Sequence, residues 1–232
     1  GGTSVANPDR IANVANRVEA SMQDSADRLI AFDPATYRQI WSYAAAAPKS
    51  VSILYSPALS ADGSTVYNIV TNTTTGAQTL AAIRASDGVL LWETAVPNTL
   101  SFSQSGWFPS PVVGPDRNIY VTSTTNTLAS FSPSGALLWQ RPVVPNGATG
   151  FAEKPPVFSP TGDAIYVTYI NESDQSNGIV AYSLPNPEAQ PKWSHQGPNI
   201  GLQAAPVVGA NGTIYVATLD SSTGGSVIAL NP

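Results

Sequence analysis

The sequence predicts an all-β fold, a β-propeller of four-stranded antiparallel blades, and three observations carry that expectation. Tryptophan recurs at positions 41, 92, 139 and 193, a period near fifty residues. Two different strand-turn-strand motifs alternate within each period, which gives four short strands per repeat, the signature of a propeller blade. Only 11% of the 232 residues are charged, and Ser, Thr, Gly and Pro are abundant. That mixture suits short strands joined by polar turns and does not suit helical bundles.

The first motif is an apolar strand, a turn and a strand carrying Trp. It runs from Ala31 to Trp41, from Ala82 to Trp92 and from Ala129 to Trp139, with an Ala-to-Trp separation of ten in each. A fourth copy, Ala181 to Trp193, carries two extra residues, and a fifth begins at Val227-Ile228-Ala229. The second motif is a proline-led apolar strand, a tight turn and a strand centred on Tyr. Its copies run from Pro57 to Tyr67, Pro111 to Tyr120, Pro156 to Tyr166 and Pro206 to Tyr215, separated by 10, 9, 10 and 9 residues. Their turns, Asp62-Gly63, Pro115-Asp116, Thr161-Gly162 and Asn211-Gly212, hold residues that tolerate positive φ or preset a bend. Counting outwards, the proline strand is A, the Tyr strand B, the Ala strand C and the Trp strand D. A large aromatic repeated once per blade can fill the wedge between neighbouring twisted sheets.

These units resemble the pyrroloquinoline-quinone-type (PQQ-like) repeat, whose pattern is Ala-x-Asp-x-x-x-Gly-x-x-x-Trp followed by a Ser-Pro strand and an apolar-Tyr-Val strand. The resemblance covers about residues 28–232. It implies tryptophan docking between blades, with Ala82, Gly88 and Trp92 matching all three docking positions, as do Ala129, Gly135 and Trp139. Ala31 and Trp41 match with Tyr37 in place of Gly, and Ala181 and Trp193 match around a looser Leu-Pro-Asn-Pro turn. The family includes quinoprotein dehydrogenases and the lipoprotein of outer-membrane protein assembly, so membership leaves function open.

The chain divides into an N-terminal segment, residues 1–27, and the repeats of 28–232. In the first, Ile11, Val14, Ala15, Val18 and Met22 fall at helical spacing after Asn7-Pro8-Asp9, and a helix is the first expectation. Pro8 to Val18 also matches the Pro-to-Tyr separation, which would make the segment a degenerate A–B strand pair. The chain then holds about five blade-equivalents, and a segment of a larger six- to eight-bladed ring is the alternative.

Bulk properties exclude several function classes. A net charge of −5 with ten scattered Lys and Arg argues against nucleic acid. Without cysteine there are no disulfides or thiolate metal sites. No apolar run reaches the roughly 18 residues of a membrane span. Low charge and high Ser/Thr content lean towards an extracellular or cell-envelope protein.

Candidate chemistry is sparse. His195, the one histidine, is expected in a surface loop, and no Ser-His-Asp set can be assembled. The stretch Asn171 to Asp174 lacks the oxygen spacing and glycine of a calcium loop. Quinoprotein dehydrogenases use an eight-bladed ring, calcium ligands and often a vicinal cysteine pair, none of which this chain offers. The expectation is therefore a chain that is not an enzyme and takes no cofactor. Asn72, Asn171 and Asn211 head Asn-x-Ser/Thr sequons, in a number that chance alone would give, and would be glycan acceptors in an exported eukaryotic protein.

Trp107 stands outside the docking series, in the longest D–A connection, beside Phe108. With Phe151 and Tyr169 it belongs to the side carrying the D–A and B–C loops, the candidate binding face, although Trp107 could equally fold back over its own blade. Two functions follow as expectations. One is a non-catalytic scaffold or protein-interaction module with a protein partner, and the alternative is a carbohydrate-binding, lectin-like propeller.

Overall fold

The computed structural model describes residues 11–14, 17–22, 27–51, 56–97, 110–123, 125–152, 154–174, 176–187, 190–197, 205–220 and 224–231. These residues form five antiparallel sheets in chain order, and none of the described residues is α-helical. The first sheet is β1 (Ile11–Val14), β2 (Arg17–Met22), β3 (Arg28–Phe32) and β4 (Gln39–Ala44), ordered β1-β2-β3-β4. Residues 11–14 and 17–22 are thus a strand pair and not the helix that their spacing first suggests. Ile11 pairs Ala20, and β2 continues onto β3 through Glu19 opposite Ala31. The free edge of β3 offers main-chain donors and acceptors that a separate helix would leave unpaired, and β2 satisfies them.

The second sheet is ordered β5-β7-β8-β9, with β5 (Lys49–Val51), β6 (Ala58–Leu59), β7 (Thr65–Asn72), β8 (Gln78–Arg84) and β9 (Leu90–Ala95), and β6 also pairs β7. The third is β10 (Val112–Val113), β11 (Ile119–Ser123), β12 (Thr127–Phe131) and β13 (Leu137–Arg141). The fourth holds β14 (Gly150–Phe151), β15 (Val157–Phe158), β16 (Ala164–Asn171), β17 (Asn177–Ser183) and β18 (Trp193–Gly197). The fifth has three strands, β19 (Val207–Val208), β20 (Ile214–Asp220) and β21 (Gly224–Leu230).

The middle strands of the second, third and fourth sheets are buried on both faces because each lies between two neighbouring blades, and for that reason they read as continuous apolar runs without alternation. All five residues of β11 and of β12 are buried. The core is correspondingly a series of inter-blade layers. Leu29, Ala31 and Trp41 pack on Val66, Ala81 and Ile83, and Tyr67, Ile69 and Leu80 pack on Ile119, Val121 and Phe131. Tyr120 and Leu128 pack on Ile165, Val167 and Val180, and Tyr166 and Ile179 pack on Ile214 and Val216. Inner strands of successive blades lie side by side, β6 by β10 and β15 by β19.

Candidate functional site

The tightest recurring geometry is the seat of each outer-strand tryptophan on the following blade. Trp41 lies against Gly88, where an added Cβ would stand 2.7 Å from the ring, and its Nε1 donates to the Ala85 carbonyl at 2.9 Å. Trp92 lies against Gly135, with a corresponding 2.8 Å, and donates to the Pro133 carbonyl at 3.0 Å. Trp139 donates to the Pro185 carbonyl at 3.0 Å. Gly88 and Gly135 hold φ of +76° and +88°, and Tyr37, at the same turn position in the first blade, holds φ of 56°. Each glycine therefore receives the Trp of the preceding repeat, not of its own. Trp41 is buried, whereas Trp92, Trp139 and Trp193 are only half-buried.

Register corrects one assignment. Ala31, Ala82 and Ala181 stand directly opposite Trp41, Trp92 and Trp193, but Trp139 faces Ser130, not Ala129. Ala129 is on the reverse face, packed in the layer shared with the second blade. The turn after Ser130 is one residue tighter: Gly135 N donates to Ser132 O, whereas Gly88 N reaches back to Arg84 O. That shortening restores a ten-residue separation at the wrong alanine.

Of the candidate binding face, Trp107 and Phe108 lie outside the described residues. Tyr169 is 4% exposed, part of the layer between the third and fourth blades, with its hydroxyl close over Gly178. It is a core residue and cannot be a rim contact. Phe151 is half-buried in β14, paired with Ile170. His195 is exposed but lies within β18 opposite Ile179, so it is a strand residue and not a loop residue.

The sequon asparagines hold turns. Asn72 Oδ1 accepts from the Thr74 and Thr75 amides, Asn171 Oδ1 from Ser173 and Asn211 Oδ1 from Thr213. Asn171 is buried and Asn211 exposed. Carboxylates do likewise. Asp174 Oδ1 accepts from the Ser176 amide. No group of three or more His, Asp or Glu among the described residues is placed to hold a metal ion.

A cleft of about 340 Å³ opens between the second and third blades, lined by Ser60, Asp62, Ser64, Tyr67, Arg117 and Pro133. It lies on the A–B turn side, opposite the predicted face. Hydrogen bonds from the Ser60 hydroxyl and from the Ser64 amide and hydroxyl hold the Asp62 carboxyl down at about 2. Burial, and then the charge of Asp62, push the Tyr67 hydroxyl up. The cleft thus presents a carboxylate, a guanidinium and a neutral phenol.

A second feature is the perimeter. Leu90 and Leu91 of β9 are 40% and 43% exposed, and Leu137 and Leu138 of β13 are each 48% exposed. Each pair lies at a register shift of its strand, with Leu91 and Leu138 the unpaired extra residue, and together they leave apolar surface along the outer edge.

Several solved structures share this architecture. Kuenenia stuttgartiensis hydrazine synthase matches with a TM-score of 0.64 and 10% identity, over 93% of this chain and 60% of that one. Quinohemoprotein alcohol dehydrogenase from Comamonas testosteroni matches with 0.65 and 15%, over 95% and 42%. BamB from Moraxella catarrhalis matches with 0.53 and 15%, over 94% and 73%. The chain thus spans less than two thirds of the first two. These likenesses show the fold alone, but they overturn the expectation that the chain is not an enzyme: enzymes are built on this same propeller, so the fold gives no ground for excluding catalysis. No curated protein matches the chain in sequence. A family model does match, over residues 7–103 and 76–232 and so over nearly the whole chain, and its description is outer membrane protein assembly factor BamB. With the strand register and the once-per-blade tryptophans, this match shows that the chain belongs to the BamB-type family of PQQ-like repeat propellers.

Proposed function

We propose that this chain is a protein-interaction module of a cell-envelope assembly, contacting its partner through the outer edges of its second and third blades. The observation that carries the reading is the row of half-exposed leucines on β9 and β13. An apolar edge strand with free main-chain groups is a standing invitation to association, and proteins usually blunt such edges with charge or proline. Before its Trp the fourth blade has Pro191-Lys192 and the first has Gln39-Ile40, with Ile40 42% exposed, so the doubled leucines of Leu90-Leu91 and Leu137-Leu138 belong to the second and third blades alone. The BamB description of the family supports an envelope setting.

Site-specific photo-crosslinking in intact cells tests this. A crosslinker at Leu91 or Leu138 should trap a discrete protein adduct, and one at Asp62 should not. Equal adducts at all three positions, or adducts at Asp62 alone, would refute the perimeter reading. The carbohydrate alternative depended on Trp107, and no described residue adds support to it.

A further inference from the structure

The cleft between the second and third blades holds polar groups that the described residues leave unanswered. Tyr67 lines it and is only 2% exposed, yet its hydroxyl makes no hydrogen bond with any described residue. That hydroxyl is not one of the polar atoms sealed away without a partner, so it opens on the cleft. In the third blade the equivalent group is taken: Tyr120 donates to Asp116 Oδ2 at 2.7 Å. Asp116 stands four residues before its tyrosine and Asp62 five, and Asp62 instead accepts from the serines of its own turn. All three of those bonds fall on Asp62 Oδ1, which leaves Oδ2 open to an outside donor.

Arg117 enters the same cleft from the facing blade. It is exposed, and its guanidinium forms no ion pair or hydrogen bond among the described residues. Its φ of 68° falls where the other A–B turns hold Gly63, Gly162 and Gly212. A side chain kept at a position that favours glycine points to a use for that side chain. The fourth blade repeats the carboxylate and the tyrosine as Asp163 and Tyr166, but the next turn holds Gly212 in the place of Arg117 and brings no cation to them.

A carboxylate on one wall and a guanidinium on the other repel a ligand of single charge and match a ligand that carries both. The volume of about 340 Å³ is at the small end of ligand sites, and Ala61 and Pro133 supply short apolar walls. Packed sheets lie about 10 Å apart, too far for the adjacent ammonium and carboxylate of one amino acid to meet both walls. An extended dipeptide reaches about 7 Å, and the side chains of Asp62 and Arg117 close the remainder. We propose that this cleft binds a zwitterionic dipeptide with small side chains. Its ammonium donates to Asp62 Oδ2, and its carboxylate accepts from the Arg117 guanidinium and the Tyr67 hydroxyl. The site is separate from the perimeter leucines and stands whether or not those bind a partner.

Isothermal titration of L-alanyl-L-alanine into the chain near neutral pH tests this. Saturable binding is expected, with a midpoint below about 1 mM. Acetylating the dipeptide removes its ammonium and amidating it removes its carboxylate, and each change should weaken binding roughly tenfold or more. Arg117→Gly should weaken binding by a similar factor while unfolding no more easily than the parent, which separates loss of the site from loss of the fold. Tyr67→Phe removes the hydroxyl alone and should weaken binding about fivefold, whereas Leu91→Ser should bind like the parent. The proposal is overturned by absent saturation, or by equal binding of the acetylated dipeptide, which would mark a plain anion site. It is equally overturned if free L-alanine binds as tightly as the dipeptide, or if Arg117→Gly and Tyr67→Phe both bind like the parent.

Discussion

Arg117 holds φ of 68° at the turn position where Gly63, Gly162 and Gly212 hold 72°, 75° and 87°. Each of these residues donates its amide back three positions to close the A–B turn, so the left-handed conformation is imposed by the turn and not chosen by the residue. A side chain there costs about 1 kcal/mol relative to glycine. Arg117→Gly should therefore raise stability by about that amount in urea unfolding while changing the charge of the cleft between the second and third blades. Ser130 offers a second residue-scale prediction. It occupies a position held elsewhere by alanine, and its buried hydroxyl lies by the Tyr120 hydroxyl without a hydrogen bond of good geometry. Ser130→Ala should stabilise the chain by about 0.5–1 kcal/mol, and a lower midpoint would show that the hydroxyl has a partner after all. Residue-scale detail was the least legible in the sequence. Tyr169 looked like a rim aromatic because it lies near a polar loop, but strand parity turns it into the layer between blades. Parity depends on bulges and turn lengths that spacing does not reveal, and the displacement of Ala129 by Ser130 has the same origin.

Strands and turns were far more legible. The repeated proline, tyrosine, alanine and tryptophan positions gave the four-strand period because each answers a constraint that recurs in every blade. The helical spacing of residues 11–22 misled, since a window of a dozen residues cannot register that a neighbouring strand edge requires a partner. At this scale the seats of the tryptophans are the sharpest targets. At Gly88 an added Cβ would meet Trp41 at 2.7 Å on a backbone with φ of +76°. Gly88→Ala should cost about 2 kcal/mol or more, through the clash and the conformation together. Gly147 also has positive φ, but nothing lies within 4 Å of its added Cβ, so Gly147→Ala should cost only about 1 kcal/mol. Equal losses at the two glycines would show that the indole seat adds nothing. Trp92→Ala should cost about 2–3 kcal/mol, below the about 3–5 kcal/mol of a fully buried aromatic truncation because the ring is half-buried.

Across the whole molecule, tyrosines placed between blades make the fold sensitive to alkali. Burial raises the Tyr182 hydroxyl from 10.0 to about 12, and it donates to the Pro142 carbonyl at 2.7 Å. Burial, then the hydrogen bond to Asp116, raises Tyr120 as well. A raised folded-state value for a phenol means that the neutral form is favoured by folding. The associated stability is thus complete below pH 10 and lost as pH rises towards 12 and beyond. Absorbance at the phenolate band should show these tyrosines ionising only together with loss of the β signal, and a smooth titration with the sheets intact would contradict their placement. Asp62 has the opposite sign: its lowered value gives stability that is present above about pH 4 and lost as pH falls towards 2. Asp62→Asn should flatten that acid limb.

The hand-over of each tryptophan to the next blade has a consequence during synthesis. A ribosome delivers Trp41 before Gly88, Trp92 before Gly135 and Trp139 before Pro185, so the seats follow their indoles by 47, 43 and 46 residues. At elongation rates of roughly 5–20 residues per second, each indole waits about 2–10 s for its seat. A nascent blade therefore leaves the tunnel with one sticky ring and no place to bury it, and each new blade quenches the liability of its predecessor while exposing its own. Translation pauses placed just after a tryptophan codon would lengthen that exposure, whereas pauses placed just after the seat would be harmless.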